Sequence, residues 1–298
     1  MRRASNGIGK VQSDKRNTMN VLFAIAAAGA FGVGDFLGGL AARKRPWLSV
    51  ALTAQFSAFV LVTALAFVFS NWSMTTRTAL WASLAGLSFA IGVSLLYRAL
   101  GKGQMSRVAP ITALFSISGP ALFDLWNGRD PGMSALLGIV LAIPAIMLIG
   151  SNDEPTAGRD RGMTTTAVCA GLGLACFYIC LEEAGSTGGL WTVVVARAVS
   201  FATIGLCLVI VNGLGKAFLP TVSNIAAAAG LLDGGATILV FLSTLAGPLA
   251  IAAAVSSFYP TVTILLALTI LRENLSKKQK TGLCFAAISL FAILYPSI

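Results

Sequence analysis

The chain has 298 residues, of which 56% are hydrophobic and only 11% are charged, and its mean hydropathy is +0.84. Soluble domains carry about 25% charged residues, so this composition excludes an ordinary soluble protein and predicts an integral membrane protein. The formal net charge of +10 comes from basic residues beside apolar stretches, which indicates contact with anionic lipid rather than with nucleic acid.

Ten apolar segments follow one another along the chain, each close to the roughly 20 residues that a membrane-spanning helix needs. In chain order they are residues 19–41, 47–69, 78–100, 107–126, 132–150, 164–184, 189–212, 221–243, 249–271 and 279–295. None shows the alternation of apolar and polar residues that a β-barrel strand requires. The sequence therefore predicts an all-α integral membrane protein with ten transmembrane helices.

Two polar segments precede and divide these helices. Residues 1–18 form a basic tail that is predicted to be disordered. A cleaved signal peptide is the alternative, but it needs a small-residue cleavage site and a soluble chain after it, so the first helix is expected to be retained. Residues 151–162, SNDEPTAGRDRG, are polar and contain Pro and Gly, and they are predicted to form a linker.

The two sides of this linker repeat each other at a constant offset of 144 residues. The coincident pairs, which need no gap, include Trp47 with Trp191, Ala54 with Ala198, and Gly86 with Gly230. Residues 19–150 and 163–298 are therefore predicted to be two copies of one five-helix unit. An odd number of spans reverses the direction of the chain, so the second copy is expected to lie inverted relative to the first.

Two charged residues of the second copy lie well inside predicted spans and away from their ends, where a charge costs about 2.5 to 3.5 kcal/mol. Asp233 lies near the middle of the eighth helix, and Arg197 lies about one third of the way into the seventh. Asp233 is interpreted either as an ion-pair partner of Arg197 or as a group that carries a proton or contacts a substrate amine. Arg197 is interpreted as a counter-ion, as a side chain that snorkels to the surface, or as a ligand for a substrate carboxylate.

Asp35 is the intramembrane acid of the first copy, in the glycine-rich stretch AFGVGDFLGGLAA of the first helix. Clustered glycines let membrane helices approach closely and soften the helix, which is typical of a gate or a binding element. The alternative is a hydrated acid at the membrane interface. Glu182, at the end of the sixth helix, is expected at the surface, although Tyr178 shares its face one turn earlier and makes both residues candidates for the site.

The fourth and ninth helices both carry a polar stripe and a proline. The stripe consists of Thr112 and Ser116 in the fourth helix and of Ser256, Tyr259 and Thr263 in the ninth. These hydroxyls are predicted to face a polar solute, unless they only bond the carbonyls of their own helices. Pro110 and Pro260 each remove a backbone donor and are predicted to kink these helices near the midplane, where inverted-repeat transporters place their sites.

Catalytic and metal-binding motifs are missing from the sequence. The chain has no histidine, and Cys176 and Cys180, although one helical turn apart, have no carboxylate at ligand spacing. All five cysteines fall inside predicted spans, so disulfides are not expected. With no nucleophile beside a usable base and no cofactor fingerprint, the sequence predicts neither an enzyme nor a cofactor.

Positive charges do not fix the orientation of the chain. If the N-terminus is inside, the inside segments hold seven Lys and Arg residues and the opposite segments hold thirteen. That count favours an outside N-terminus, whereas the basic tail before the first helix favours the reverse.

Four stretches resemble the drug/metabolite transporter superfamily, specifically ten-helix proteins built of two EamA-type repeats. They are GVGDFLGGLAARK (32–44), YRALGKGQMSRVAPITAL (97–114), GLWTVVVARAVS (189–200) and GPLAIAAAVSSFYPTVTILLALTILRENLS (247–276). The most specific feature is the SSxYP element followed by LxExLS in the last stretch. The counterpart in the first copy, NGRDPG, departs from the family pattern because the acid is replaced.

The resemblance implies a secondary transporter for small metabolites, often an exporter of amino acids or related compounds, with both termini in the cytoplasm. Asp35, Arg197, Asp233 and the segment Ser256–Pro260 fall in matching motifs. We therefore expect a multi-pass protein of the inner membrane that exports a small polar solute by alternating access, with protons as a candidate coupling ion. A passive channel and an exchanger are the alternatives. Besides the solute and the lipid bilayer, no nucleic-acid partner is expected, and the protein is expected to be a monomer or a weak dimer.

Overall fold

The computed structural model describes residues 2–128, 133–150, 157–185, 187–212, 223–246, 255 and 258–294. Within these residues the chain forms ten helices with defined bounds and no strand. In chain order they are α1 (Arg2–Lys44), α2 (Trp47–Phe69), α3 (Thr76–Lys102), α4 (Met105–Trp126), α5 (Met133–Gly150), α6 (Ala157–Ala184), α7 (Leu190–Asn212), α8 (Asn224–Ala246), α9 (Tyr259–Thr269) and α10 (Lys277–Leu294).

Most helices begin and end close to where the hydrophobic pattern predicts them. α2 has the predicted bounds and begins directly after Pro46, whose fixed backbone angle suits the entry to a helix. α3 begins two residues earlier than predicted because Thr75 caps it: the side chain of Thr75 accepts a hydrogen bond from the backbone N–H of Thr78 at 3.2 Å. The all-helical fold class is confirmed for the described residues.

Two boundaries differ from the prediction, and a third falls mostly outside the described residues. Residues 2–18, predicted to be disordered, continue α1, since they contain no proline and extending an existing helix adds one hydrogen bond for each residue ordered. α6 begins at Ala157, so the predicted linker 151–162 is shorter than its polar composition indicated. The described part of the ninth helix begins at Tyr259 and has Pro260 in its first turn, where a missing N–H is tolerated. Residues 247–254, 256 and 257 lie outside the described residues, so the kink predicted at Pro260 stays a prediction.

Six of the helices are long and apolar enough to cross a membrane, as judged over the residues that the structure describes. They comprise residues 18–44, 47–69, 76–102, 162–184, 190–211 and 224–243. Large apolar side chains cover their outward faces; Phe67 and Ile210, for example, are 74% and 72% exposed. A soluble protein seldom exposes so much apolar surface, whereas a lipid-facing surface requires it. These are the features of a membrane protein.

Helices from the two halves of the chain alternate with each other in the bundle. α1 packs against α8, and α3 packs against α6. α4 also lies against α6, while α9 lies against α1. Other pairs that join the two halves are α2 with α7 and α8, α3 with α7, α4 with α9 and α10, and α5 with α10. Because most neighbours of a helix belong to the other half, the two halves share one core.

Two glycines that coincide at the offset of 144 residues make the same kind of contact. Gly86 of α3 lies against the backbone of Ala196 in α7, and Gly230 of α8 lies against the backbone of Ala54 in α2. A Cβ at either glycine would overlap a backbone carbonyl oxygen of the facing helix. Only glycine permits helices to approach this closely, so equivalent positions of the two halves bring equivalent helix pairs together.

Candidate functional site

An ion pair between Arg197 of α7 and Asp233 of α8 lies inside the bundle. Nη1 of Arg197 is 2.5 Å from Oδ2 of Asp233, and the two side chains are 4% and 20% exposed. Arg197 therefore does not snorkel to the surface, and the ion-pair interpretation of Asp233 is confirmed. Each partner lowers the cost of burying the other's charge, which explains how both are accommodated in apolar helices.

Three further groups hold the guanidinium of Arg197 in place. Its Nη1 donates to Oε1 of Gln55 in α2 at 3.2 Å, and its Nη2 donates to Oγ1 of Thr237 in α8 at 3.1 Å. The guanidinium carbon lies 4.4 Å from the centre of the Phe89 ring in α3, within cation–π distance. Only Nε lacks a hydrogen bond to a described residue. Both terminal nitrogens of Arg197 are thus already engaged by the protein.

Asp35 faces the inside of the bundle from α1 and has no cation beside it. The adjacent Gly34 packs against α8 near Ala229 and the backbone N–H of Asp233, so the two helices are in close contact at this level. The Asp35 side chain is half-buried and lies within electrostatic range of Asp233. It makes no hydrogen bond or ion pair with any described residue. Asp35 is therefore an acid that faces the inside of the bundle.

Two tyrosines flank Asp35 along the axis of α1. One turn after Asp35, the ring of Tyr97 from α3 lies directly over Gly38. One turn before it, Tyr259 of α9 lies beside Phe31, with 6.1 Å between the ring centres. Residues three or four apart share one face of a helix, so Asp35 lies on the face between the two tyrosines. Both phenols are within electrostatic range of Asp35.

Tyr178 of α6 also lies near the two acids inside the bundle. Its ring centre is 5.2 Å from that of Phe177, which in turn lies 4.7 Å from Phe89, the ring that supports Arg197. The phenol of Tyr178 is within electrostatic range of Asp35 and Asp233. Tyr178 is 41% exposed, so the helices packed around it do not cover its ring completely.

The two predicted hydroxyls of α4 have different surroundings, although both are buried. Thr112 donates to the backbone carbonyl of Ala167 in α6 at 3.2 Å, so it ties two helices together. Ser116 donates to the carbonyl of Ala113 in its own helix at 3.0 Å and also lies within hydrogen-bonding reach of the Tyr259 phenol. We call the group formed by Arg197, Asp233, Gln55, Asp35, Tyr97, Tyr178 and Tyr259 the inner cluster. Ser116 belongs to this cluster, whereas Thr112 has a structural contact.

The prolines and the remaining hydroxyls occupy the surroundings of this cluster. Ser256 lies outside the described residues. Thr263 of α9 donates to the carbonyl of Gly32 in α1 at 3.0 Å, which links the two helices beside Asp35. Pro110 lies inside α4, as predicted, and its missing N–H leaves the carbonyl of Ser106 without its helical donor.

Glu182 lies away from the inner cluster, at the surface end of α6. It is exposed and lines a recess that also contains Thr75, Arg77 and Glu183. Arg77 and Glu183 form an ion pair there at 3.4 Å, with the arginine side chain 73% exposed. The surface interpretation of Glu182 is confirmed, and the structure does not bring it together with the acids inside the bundle.

The side chain of Glu273 is nearly buried, although the residue lies in the polar loop after α9. Its side chain is 8% exposed and pairs with Arg43 of α1 at 2.9 Å. It also accepts hydrogen bonds from the backbone N–H groups of Met105 and Ser106, at 3.0 and 2.9 Å, and from the Ser106 hydroxyl at 2.7 Å. A carboxylate is favoured at the positive end of a helix, so Glu273 caps α4 from the loop that follows α9.

Two residues of the inner cluster are not predicted from the sequence. Gln55 gives a usable signal, because a primary amide in the middle of an apolar span requires a polar partner. Tyr97 gives none, since a tyrosine near the end of a membrane helix is ordinarily an interface anchor. Among the described residues no group of His, Cys, Asp and Glu side chains is arranged to hold a metal ion.

Comparison with known proteins identifies a relative about half as long as this chain and a solved structure with a similar fold. No protein-family profile matches the chain. The uncharacterized protein MJ1333.1 of Methanocaldococcus jannaschii is 27% identical over 133 residues, which make up 94% of that protein but 43% of this chain. A solved structure, described as the crystal structure of a protein, superimposes on this chain with a TM-score of 0.61 and 13% sequence identity. The match covers 92% of this chain and 96% of the other chain. At that identity the likeness shows a shared fold alone.

Proposed function

We propose that the protein is a secondary active transporter that moves a small polar solute across a membrane by alternating access. In this proposal all ten helices form the membrane domain, as two inverted five-helix repeats of the drug/metabolite transporter type. The solute belongs to the amino acids or related compounds, the direction is export, and the membrane is the inner membrane of the cell.

The pairing of the helices supports inverted repeats. The contact of α1 with α8 has its equivalent in the contact of α6 with α3, and that of α4 with α6 in that of α9 with α1. At one end of the bundle, Gly103 after α3 lies beside Met163 near the start of α6, and Arg43 at the end of α1 lies near Gly103. α1 therefore ends where α6 begins, as equivalent helices of inverted copies do.

The half-length relative supports an origin by duplication. Its match of 133 residues spans nearly all of that protein and has about the length of one proposed repeat, residues 19–150. A chain with a single copy of such a unit is the kind of protein from which a two-repeat chain arises by gene doubling.

The observation that carries the proposal is the position of Asp35 opposite the ion pair of Arg197 and Asp233. Charged groups inside a membrane are expensive and mark the paths of solutes and ions. These three side chains come from α1, α7 and α8, so helices of both repeats build the cluster. In inverted-repeat transporters the site lies at this interface, and rocking of one repeat against the other opens it to each side in turn.

Asp35 is the group that we assign to proton coupling. Asp233 is neutralised by Arg197, whereas Asp35 has no cation among the described residues, and an unpaired carboxylate in an apolar environment favours its protonated form. In this scheme Asp35 holds a proton when the site is empty of solute and releases it when solute binds.

Counterflow in liposomes tests the proposal. Liposomes that contain the purified protein are preloaded with one unlabelled amino acid or amine from a panel, and uptake of the same labelled compound is measured. A carrier gives saturable uptake that the preload accelerates for at least one compound. Flux that rises linearly with concentration, as in a channel, or no acceleration by any member of the panel contradicts the proposal.

Asp35→Asn tests the proton role in the same liposomes. We expect an imposed pH gradient to drive uptake in the wild type and not in this variant, because asparagine cannot carry a proton. Exchange of preloaded for labelled solute needs no net proton movement, and, measured at solute concentrations raised far enough to saturate the variant, it separates a coupling defect from misfolding. Unchanged gradient-driven uptake in Asp35→Asn removes the assignment.

A further inference from the structure

The charges of the inner cluster are unequal, and this inequality bears on what the site can bind. Among the described residues the cluster contains one guanidinium, that of Arg197, and two carboxylates, those of Asp35 and Asp233. Arg197 and Asp233 neutralise each other. The group that remains is the side chain of Asp35, and a cation that displaces its proton gains the carboxylate as a counter-ion that no other described cation neutralises.

Arg197 is not free to bind a ligand carboxylate. Its two terminal nitrogens already contact Asp233, Gln55 and Thr237, and its face lies against Phe89. A carboxylate that reached Arg197 would have to displace Asp233, and the two anions would repel each other at short range in a medium of low dielectric constant. The cluster therefore disfavours anions and the acid group of a zwitterion.

Aromatic rings lie on both sides of Asp35. Tyr97 and Tyr259 lie one turn after and one turn before it along α1, and the phenol of Tyr178 in α6 is within electrostatic range of it. The electron-rich face of an aromatic ring attracts a cation, and several rings around one carboxylate form the kind of cage that receives an alkylated or protonated nitrogen. The phenol oxygens also provide acceptors for an ammonium N–H.

We propose that this site binds a monovalent organic cation, either a protonated amine or a quaternary ammonium, with Asp35 as its counter-ion and the three tyrosine rings as its walls. The proposal rests on the proposed function, because it names the substrate class of the same site. It narrows that class, since an amine without a carboxylate should bind better than the amino acid of the same side chain.

Binding to the purified protein in detergent tests this inference. The probes are phenethylamine, phenylalanine, phenylpropionate and tetramethylammonium, which separate the cationic, zwitterionic, anionic and permanently charged cases. Isothermal titration calorimetry gives each dissociation constant for the wild type and for the variants. We expect phenethylamine to bind at least about tenfold more tightly than phenylalanine, which corresponds to about 1.4 kcal/mol. Phenylpropionate should not bind.

Asp35→Asn and Glu183→Gln form a matched pair of variants, since each removes one carboxylate charge and keeps the shape. In Asp35→Asn we expect phenethylamine to bind at least about thirtyfold more weakly, or about 2 kcal/mol, the lower end for removing one partner of a buried charge pair. Glu183 lies in the surface recess, so Glu183→Gln should change the affinity by less than about twofold, within the range of a surface charge.

The tyrosines provide a test that does not alter a charge. Tyr178→Phe keeps the ring and should keep most of the affinity for tetramethylammonium, whereas Tyr178→Leu should lose about fivefold or more, as expected for one cation–π contact. Equal affinities in the two variants contradict the aromatic wall.

The outcomes separate this inference from the proposed function. Phenylalanine binding as tightly as phenethylamine, binding that Asp35→Asn leaves unchanged, or no binding of either cation overturns the organic-cation site. If amino acids also show accelerated counterflow, the transporter proposal stands without that site. Cation binding that depends on Asp35, with no accelerated counterflow of any compound, supports the site and overturns the transporter.

Discussion

Replacing each inner acid by asparagine should affect stability in opposite ways, although the two substitutions are chemically identical. Asp233→Asn removes the counter-ion of Arg197, whose side chain is 4% exposed, and leaves a buried guanidinium without a charge partner. Asp35→Asn replaces a side chain that has no cation beside it and that forms no ion pair or hydrogen bond with any described residue. The first variant should therefore be destabilised, and the second should not.

The size of the effect in Asp233→Asn follows from the geometry of the pair. Two unit charges about 4 Å apart interact by about 4 kcal/mol at an effective dielectric constant of about 20. Removing one partner of a buried pair costs about 3 to 5 kcal/mol. Asp233 is 20% exposed, and Arg197 keeps its hydrogen bonds to Gln55 and Thr237, so we expect the lower end, about 3 kcal/mol.

Equilibrium unfolding in mixed micelles of detergent and sodium dodecyl sulfate measures this difference. The free energy of unfolding of Asp233→Asn should fall by about 3 kcal/mol, and that of Asp35→Asn should stay at or above the wild-type value. The double variant Arg197→Gln with Asp233→Asn, which removes both charges, should recover part of the loss. If the two asparagine variants lose the same stability, or Asp35→Asn loses more, the charge arrangement derived above is wrong.

Three other substitutions test packing and capping, each by the same unfolding measurement. Glu273→Gln should lower the stability by about 2 kcal/mol, because the carboxylate accepts three hydrogen bonds at the start of α4 and pairs with a cation; a loss below about 0.5 kcal/mol contradicts the cap. Gly230→Ala should lower the stability by about 3 kcal/mol, because the new methyl group overlaps the backbone of α2. Gly235→Ala should raise the stability by up to about 1 kcal/mol, because Gly235 has open space around it and alanine favours a helix. Equal effects of the two substitutions would refute the close approach of α8 to α2. Thr263→Val should cost about 1 kcal/mol through loss of its hydrogen bond to α1, and no loss would show that this bond contributes nothing.

The positions of the helices could be predicted because they depend on a one-dimensional property, the length of each apolar run. α2 has the predicted bounds, and the equivalent contacts of Gly86 and Gly230 agree with the register of the repeat. In the ninth helix Pro260 lies in the first turn that the structure describes, and the kink predicted there stays a prediction because most of the preceding residues lie outside the described residues.

Contacts between side chains far apart in the sequence could be predicted only where a buried charge without a partner would cost much free energy. The ion pair of Arg197 and Asp233 was one of the stated interpretations, because pairing lowers the free-energy cost of burying each charge in an apolar helix. Glu273 lies 167 residues from Ser106 and in a polar loop, where an acid needs no partner, so nothing local indicated its burial. Tyr97 was missed for the same reason: its role depends on which helix lies opposite.

Accessibility of position 35 from the two sides of the membrane tests the central claim most directly. Asp35→Cys would be made in a background in which all five native cysteines are replaced, and right-side-out and inside-out vesicles would be treated with a membrane-impermeant thiol reagent. If the two repeats rock about this cluster, position 35 should react from both sides. The proposed cationic solute should slow both reactions. Reaction from one side only, or from neither, would contradict an alternating-access site at Asp35.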